Sequence, residues 1–268
     1  MGLDLILTFA KEEKPVNRFL KWKQARALEP LEELCVVEGG KAKYAQVSLT
    51  DRLSGEEAGR LIYTLGPRTK EMEEQGDPYI MEEYIVLNGG DEVTLRLDRE
   101  FGPYRDWNNN FMAETGSGHG LAVEVANRLI FGEDLEGKSV KARLSVFPRS
   151  FNVKGGREVK EEEASPFDGI MELLSAPEGG SGFTMPMVCS DTFFFTTFSA
   201  AVTDCHPVTI EEGGPLRFYI VTLSTGFGTM PMAVDKETFE EKHLAPGTTL
   251  VVDGTIVAEM LELSAQNE

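Results

Sequence analysis

The sequence predicts an α+β fold, mainly antiparallel β-sheet with several short packed helices. Three observations carry that expectation. Runs of alternating apolar and polar residues recur at hairpin-like spacings. A few short segments carry helix caps and a 3.6-residue apolar period. Strand and helix signals do not alternate regularly, as a doubly wound sheet would require.

From the N-terminus, Leu3, Leu5, Leu7 and Phe9 alternate with Asp4, Ile6 and Thr8, which reads as a strand over 2–9. A helix over 15–27 follows, with Pro15 in its first turn and Val16, Phe19, Leu20 and Ala27 on one side. Residues 43–49 alternate again as a half-exposed strand. Ser54 and Glu57 have the spacing of a capping box, and Ala58, Leu61, Ile62 and Leu65 recur at the helical period. With Gly66-Pro67 as the stop, 56–65 reads as a helix. Tyr84–Leu87 and Val93–Leu97 flank Asn88-Gly89-Gly90, whose tolerance of positive φ predicts a β-hairpin.

Residues 101–120 are an aromatic, Gly- and Asn-rich loop leading into a helix over 121–131. There Leu121, Val125, Ala126, Leu129 and Ile130 leave a narrow polar strip, so other elements should surround it. Residues 138–147 alternate cleanly as a strand, with Val140, Ala142, Leu144 and Val146 inward. Ser165-Pro166, with Asp168, opens a further helix whose apolar face is Phe167, Ile170, Met171 and Leu174. Strands are expected near 183–189, 192–199, 216–223, 249–252 and 254–262. A short helix over 236–243 takes Asp235 as its N-cap, with Val234 placed to pack on Phe239. The motif Thr-Met-Pro-Met occurs at 184–187 and again at 229–232. Proline is poorly tolerated inside a central strand, so each copy should mark an edge, a bulge or a strand end. The polar run 152–164 divides the chain into an α+β domain over 1–155 and a β-rich domain with short helices over 165–268. One continuous domain with that run as a surface loop fits nearly as well.

With 45 acidic against 26 basic side chains, the formal net charge is -19. A field of that sign repels phosphate backbones and anionic lipid and suits a basic protein partner. Nucleic acid and membrane are therefore not the expected partners; protein or a small molecule is. The stretch MGLDLILTFA lacks a basic n-region, and nowhere do 18 apolar residues run together. Three scattered cysteines, Cys35, Cys189 and Cys205, fit reduced thiols in a cytoplasm.

Chemistry is sparse. Thr115-Gly116-Ser117-Gly118-His119-Gly120 ahead of a helix would converge backbone amides at a helix N-terminus, though the Gly-Lys-Ser/Thr ending of a phosphate loop is absent. His119, His206 and His243 have no metal-ligand spacing, so no metal is expected, and no cofactor. Cys205 near His119 or His206 would be a nucleophile only if the fold joined them. The candidate ligand- or partner-binding residues are Tyr104, Trp107, Ser117 and His119, with no catalytic residue assigned. The preferred reading is a non-catalytic cytoplasmic binding protein for a protein or small-molecule partner. The alternatives are a hydrolase or transferase near 101–120 with His119 as general base, and a structural subunit self-associating through Phe193–Phe198.

Overall fold

A computed structural model describes residues 32–37, 40–66, 80–101, 109–132, 134–154, 184–190, 193–211 and 216–264. The expected strand over 2–9 and helices over 15–27 and from Ser165 lie outside these residues. The first four strands are β1 (Glu32–Val37), β2 (Gly40–Thr50), β3 (Glu57–Leu65) and β4 (Ile80–Leu87), an antiparallel meander in sequence order. The rest join one larger sheet: β5 (Glu92–Phe101), β6 (Asn110–Thr115), β7 (Gly120–Val125), β8 (Ser139–Val153), β9 (Thr184–Ser190), β10 (Phe193–Ile210), β11 (Leu216–Thr225), β12 (Gly228–Asp235) and β13 (Thr249–Leu263).

This corrects the α+β expectation. Among the described residues there is a single α-helix, α1 (Lys236–Glu241), and one 3-10 turn at Arg128–Ile130. Two segments expected to be helical are strands, and the reason is the same for both. In β3 every residue from Ala58 to Leu65 except Arg60 is buried. In β7 every residue after Gly120 is buried. A strand covered on both faces shows no period of two, and its apolar run is then indistinguishable from a helix stripe. Ser54 does not cap a helix. Its N–H and Oγ both donate to Asp51 Oδ2, at 2.8 and 2.9 Å, in the tight β2–β3 turn. The expected helix over 236–243 does form: Asp235 Oδ1 accepts from the Thr238 N–H at 2.8 Å, and Phe239 stacks on Tyr219 with ring centroids 3.8 Å apart.

The Asn88-Gly89-Gly90 turn is not a hairpin. Gly89 and Gly90 do take positive φ, +103° and +79°, but β4 pairs with β3 whereas β5 pairs with β6 and β8. The turn therefore carries the chain from one sheet to the other. At Gly90 the crossing is so close that a Cβ would lie 2.7 Å from the Thr229 carbonyl.

Pairing in the larger sheet closes twice. One circuit runs β8–β5–β6–β7–β13 and returns to β8; the other runs β8–β13–β10–β11–β12 and returns to β8. Both share the antiparallel β8–β13 ladder, which spans Val140 to Val153. Closure leaves few strand edges open, the usual difficulty of an all-β fold. β13 is one continuous strand where the sequence reading had two. It bulges at Asp253/Gly254 and there exchanges β10 for β7 as its neighbour. Strands from both 1–155 and 165–268 enter this ladder. Of the two Thr-Met-Pro-Met copies, one lies in the outermost strand β9, and the other in β12, bridged to β8 only at Met232.

Alternation sorts the side chains into two cores. Leu95, Leu121, Val140, Leu144, Phe198, Leu223, Met232 and Ile256 point into the space enclosed by the circuits. On their outside Phe147, Val208, Ile210, Phe218, Ile220 and Val257 meet Val47, Leu49, Ile62, Ile85 and Leu87 of the meander. Each such side chain stabilises the packed state by roughly 1.5–3 kcal/mol.

Candidate functional site

The Gly-rich segment 115–120 is the turn of the β6–β7 hairpin. The Gly118 N–H donates to the Thr115 carbonyl at 2.9 Å, and the His119 N–H to Thr115 Oγ1 at 3.0 Å. Ser117 Oγ lies 3.0 Å from Thr115 Oγ1. A strand, not a helix, follows the turn, so no helix terminus gathers amides here, and those of Gly118 and His119 are used within the turn.

Beside this turn opens a cleft of ≈ 610 Å³ walled by three segments distant in sequence. The start of β5 supplies Asp91, Glu92, Val93 and Thr94; the hairpin turn supplies Thr115, Gly116 and Ser117; the β11–β12 turn supplies Gly226, Phe227 and Gly228. The walls are tied together. The Gly116 N–H donates to the Thr94 carbonyl at 3.0 Å, the Asp91 N–H to the Thr229 carbonyl at 2.9 Å, and the Thr229 N–H to Asp91 Oδ2 at 2.8 Å. Gly228, at φ +128°, leaves space that a side chain would take from Asp91 and Val93.

Of the sequence candidates, Ser117 lines the cleft and His119 stands one ring behind it. His119 packs on Phe227 at 5.7 Å between centroids, and its Nδ1 lies 3.5 Å from Thr184 Oγ1. Tyr104 and Trp107 lie outside the described residues. The sequence marks Asp91 and Glu92 only as one of several adjacent acidic pairs that read as solvated faces, and it does not single out Thr94 or Phe227 for the site. The only further signal is the glycine punctuation at 89–90 and 226–228, which marks turns without saying that they meet. Cys205 on β10 is half-buried, and burial, followed by the nearby Asp204 carboxylate, pushes its thiol up and away from the reactive thiolate. His206 is an exposed neighbour of Asp204, with Nδ1 3.4 Å from Oδ2. Phe198 is a core residue, and the Phe195 ring lies beneath the Arg149 guanidinium at 4.9 Å.

A second polar cluster sits where the meander meets the outside of the circuits. Glu124 is buried, and its Oε2 has no hydrogen-bond partner among the described residues. Burial, reinforced by the Glu82 carboxylate, raises its carboxyl to about 7. Next to it the Tyr84 hydroxyl accepts from Asn109 Nδ2 at 3.1 Å and donates toward Glu82 at 3.4 Å. Burial and the carboxylates of Glu82 and Glu124 hold that phenol well above its ordinary range. Farther along the seam Arg60 of β3 pairs with Glu259 of β13 at 2.7 Å. Arg128 chelates Glu100 through two bonds of 2.7 and 3.0 Å.

Among the described residues no group of three or more His, Cys, Asp or Glu side chains is placed to hold a metal ion. No helix among them is long and apolar enough to cross a membrane. Comparison with protein-family models, with curated proteins and with solved structures finds no match.

Proposed function

We propose that this chain is a non-catalytic cytoplasmic binding protein, and that its ligand or partner docks in the cleft between 91–94, 115–117 and 226–228. One observation carries the reading: three segments converge on an open recess of ≈ 610 Å³ with mixed polar and apolar walls, within the range of small-ligand sites. Hydrogen bonds between the walls fix its shape before anything binds, which limits the ordering cost of association. The two reactive side chains singled out by the sequence, His119 beside the cleft and Cys205 elsewhere on β10, have other engagements. His119 is held between Phe227 and Thr184, and the Cys205 thiol is pushed toward its protonated form.

Amide chemical-shift mapping of the labelled full chain against a small-molecule fragment set tests this. Hits should perturb Thr94, Thr115–Ser117 and Gly226–Gly228 together; hits that consistently map elsewhere contradict it. A hydrolase or transferase using His119 draws on a single observation, the contact of its ring with a residue that lines the cleft. That reading requires turnover that disappears in His119→Gln while fragment binding persists.

A further inference from the structure

Resting on that cleft reading, we infer that the group recognised there is a primary ammonium, borne by a lysine side chain or by a polyamine. The charged side chains lining the recess are Asp91 and Glu92; none of the lining residues is basic. Glu92 already shares its charge with Arg143 at 2.9 Å. Asp91 is therefore the carboxylate left to a ligand. Two hydrogen bonds to Thr229, one through its own N–H and one through Oδ2, hold it in place.

That fixation decides between cations. A guanidinium pairs best with both oxygens of a carboxylate in a planar fork. Asp91 Oδ2 accepts the Thr229 N–H, so Oδ1 is the oxygen without a partner among the described residues, and a planar fork would have to share Oδ2 with that N–H. An ammonium is a compact charge with three donors and needs only one acceptor from each neighbour. The hydroxyl pair supplies the next one. Thr115 Oγ1 accepts the His119 N–H and lies 3.0 Å from Ser117 Oγ; whichever of the two hydroxyls donates to the other, Ser117 Oγ, on the cleft wall, keeps a lone pair for a ligand. Phe227 is only 8% exposed, which leaves little ring face for the aromatic cage that a quaternary ammonium prefers. The formal net charge of -19 raises the local concentration of cations and speeds their arrival.

The test titrates the full chain with Nα-acetyl-lysine methylamide, its norleucine and arginine counterparts, and spermidine, following amide shifts at 50 and 300 mM salt. The lysine probe and spermidine should move Thr94, Gly116, Ser117 and Gly226–Gly228, and the tighter of the two identifies the source. The variant Asp91→Asn should weaken both by about 10-fold, the size of a lost charged hydrogen bond. Asn retains an oxygen for the Thr229 N–H, so an unchanged spectrum outside the cleft confirms that the variant is folded. Equal binding of the norleucine probe, or tighter binding of the arginine probe, would overturn the ammonium while leaving the cleft as the site. Shifts scattered over the acidic surface and indifferent to Asp91→Asn would overturn it as well. A cleft silent to these probes but responsive to uncharged fragments refutes the inference alone; silence to both refutes the cleft reading too.

Discussion

Replacing Glu124 with Gln should make this protein more stable in mild alkali and remove much of its response to pH near neutrality. The carboxyl moves from an ordinary 4.5 to about 7 in the folded chain because burial disfavours its charge, with the Glu82 carboxylate adding to the effect. A displacement of that size corresponds to about 3 kcal/mol. The folded state binds the proton more tightly than the unfolded chain does. The associated stability is thus complete below the unfolded value near 4.5 and is lost as pH rises through about 7. Above that, the seam between meander and circuits holds a carboxylate facing Glu82 and Tyr84, with Oε2 unpaired among the described residues. Gln keeps the shape without the charge. Urea unfolding, followed by far-UV circular dichroism at intervals from pH 5 to pH 9, gives both curves. Their difference is the quantity to read, since general charge repulsion is common to both. It should be within about 1 kcal/mol at pH 5 and grow to about 2–3 kcal/mol in favour of the variant by pH 9. A difference that stays flat across that range would refute the burial argument.

Three further substitutions probe the architecture through the midpoint and slope of the same unfolding curves. Gly90→Ala forces a side chain onto a φ of +79° and places its Cβ 2.7 Å from the Thr229 carbonyl, so a loss of about 2–4 kcal/mol is expected. Asp51→Ala removes the acceptor for the Thr209 N–H at 2.7 Å and for both Ser54 donors, costing about 2–3 kcal/mol. Burial alone would raise the Asp51 carboxyl, but those N–H donors outweigh it and hold it low, so its contribution should fade only as pH falls through that lowered value. His243→Gly relieves a left-handed residue, at φ 52°, just after α1 and should stabilise by about 0.5–1 kcal/mol.

How much of this was legible in the sequence depends on whether a strand has a wet face. β8 alternates at Lys141 and Arg143 against Val140, Ala142 and Leu144, so the strand expected over 138–147 forms, but it runs on to Val153 and buries Ser145, where alternation ceases to be a guide. β3 and β7 lie between layers and lack that contrast, so Ser54, Glu57 and the Leu61–Leu65 spacing imitated a helix. The Asp235 cap was legible because its hydrogen bond is local, three residues long. The Asn88–Gly90 turn showed the right torsions but not its destination, since which strand β5 joins is decided by residues near Thr115 and Arg143. The site followed the same rule. Ser117 and His119 stood out as a local Gly-rich motif, whereas Asp91 and Phe227 become neighbours of it only through long-range pairing.

The most direct measurement of the central claim fills the cleft without disturbing the fold. A Cβ at Gly116 meets nothing nearer than Thr94 Cβ at 3.9 Å, no positive φ forbids a side chain there, and Gly116 lines the recess, so Gly116→Trp should fold and place its ring across the cleft, with an unchanged melting temperature as the check on folding. In calorimetric titrations with Nα-acetyl-lysine methylamide, the parent should bind and the tryptophan variant should not. Equal heats and equal affinity in the two proteins would contradict the claim that the cleft is where this protein meets its ligand.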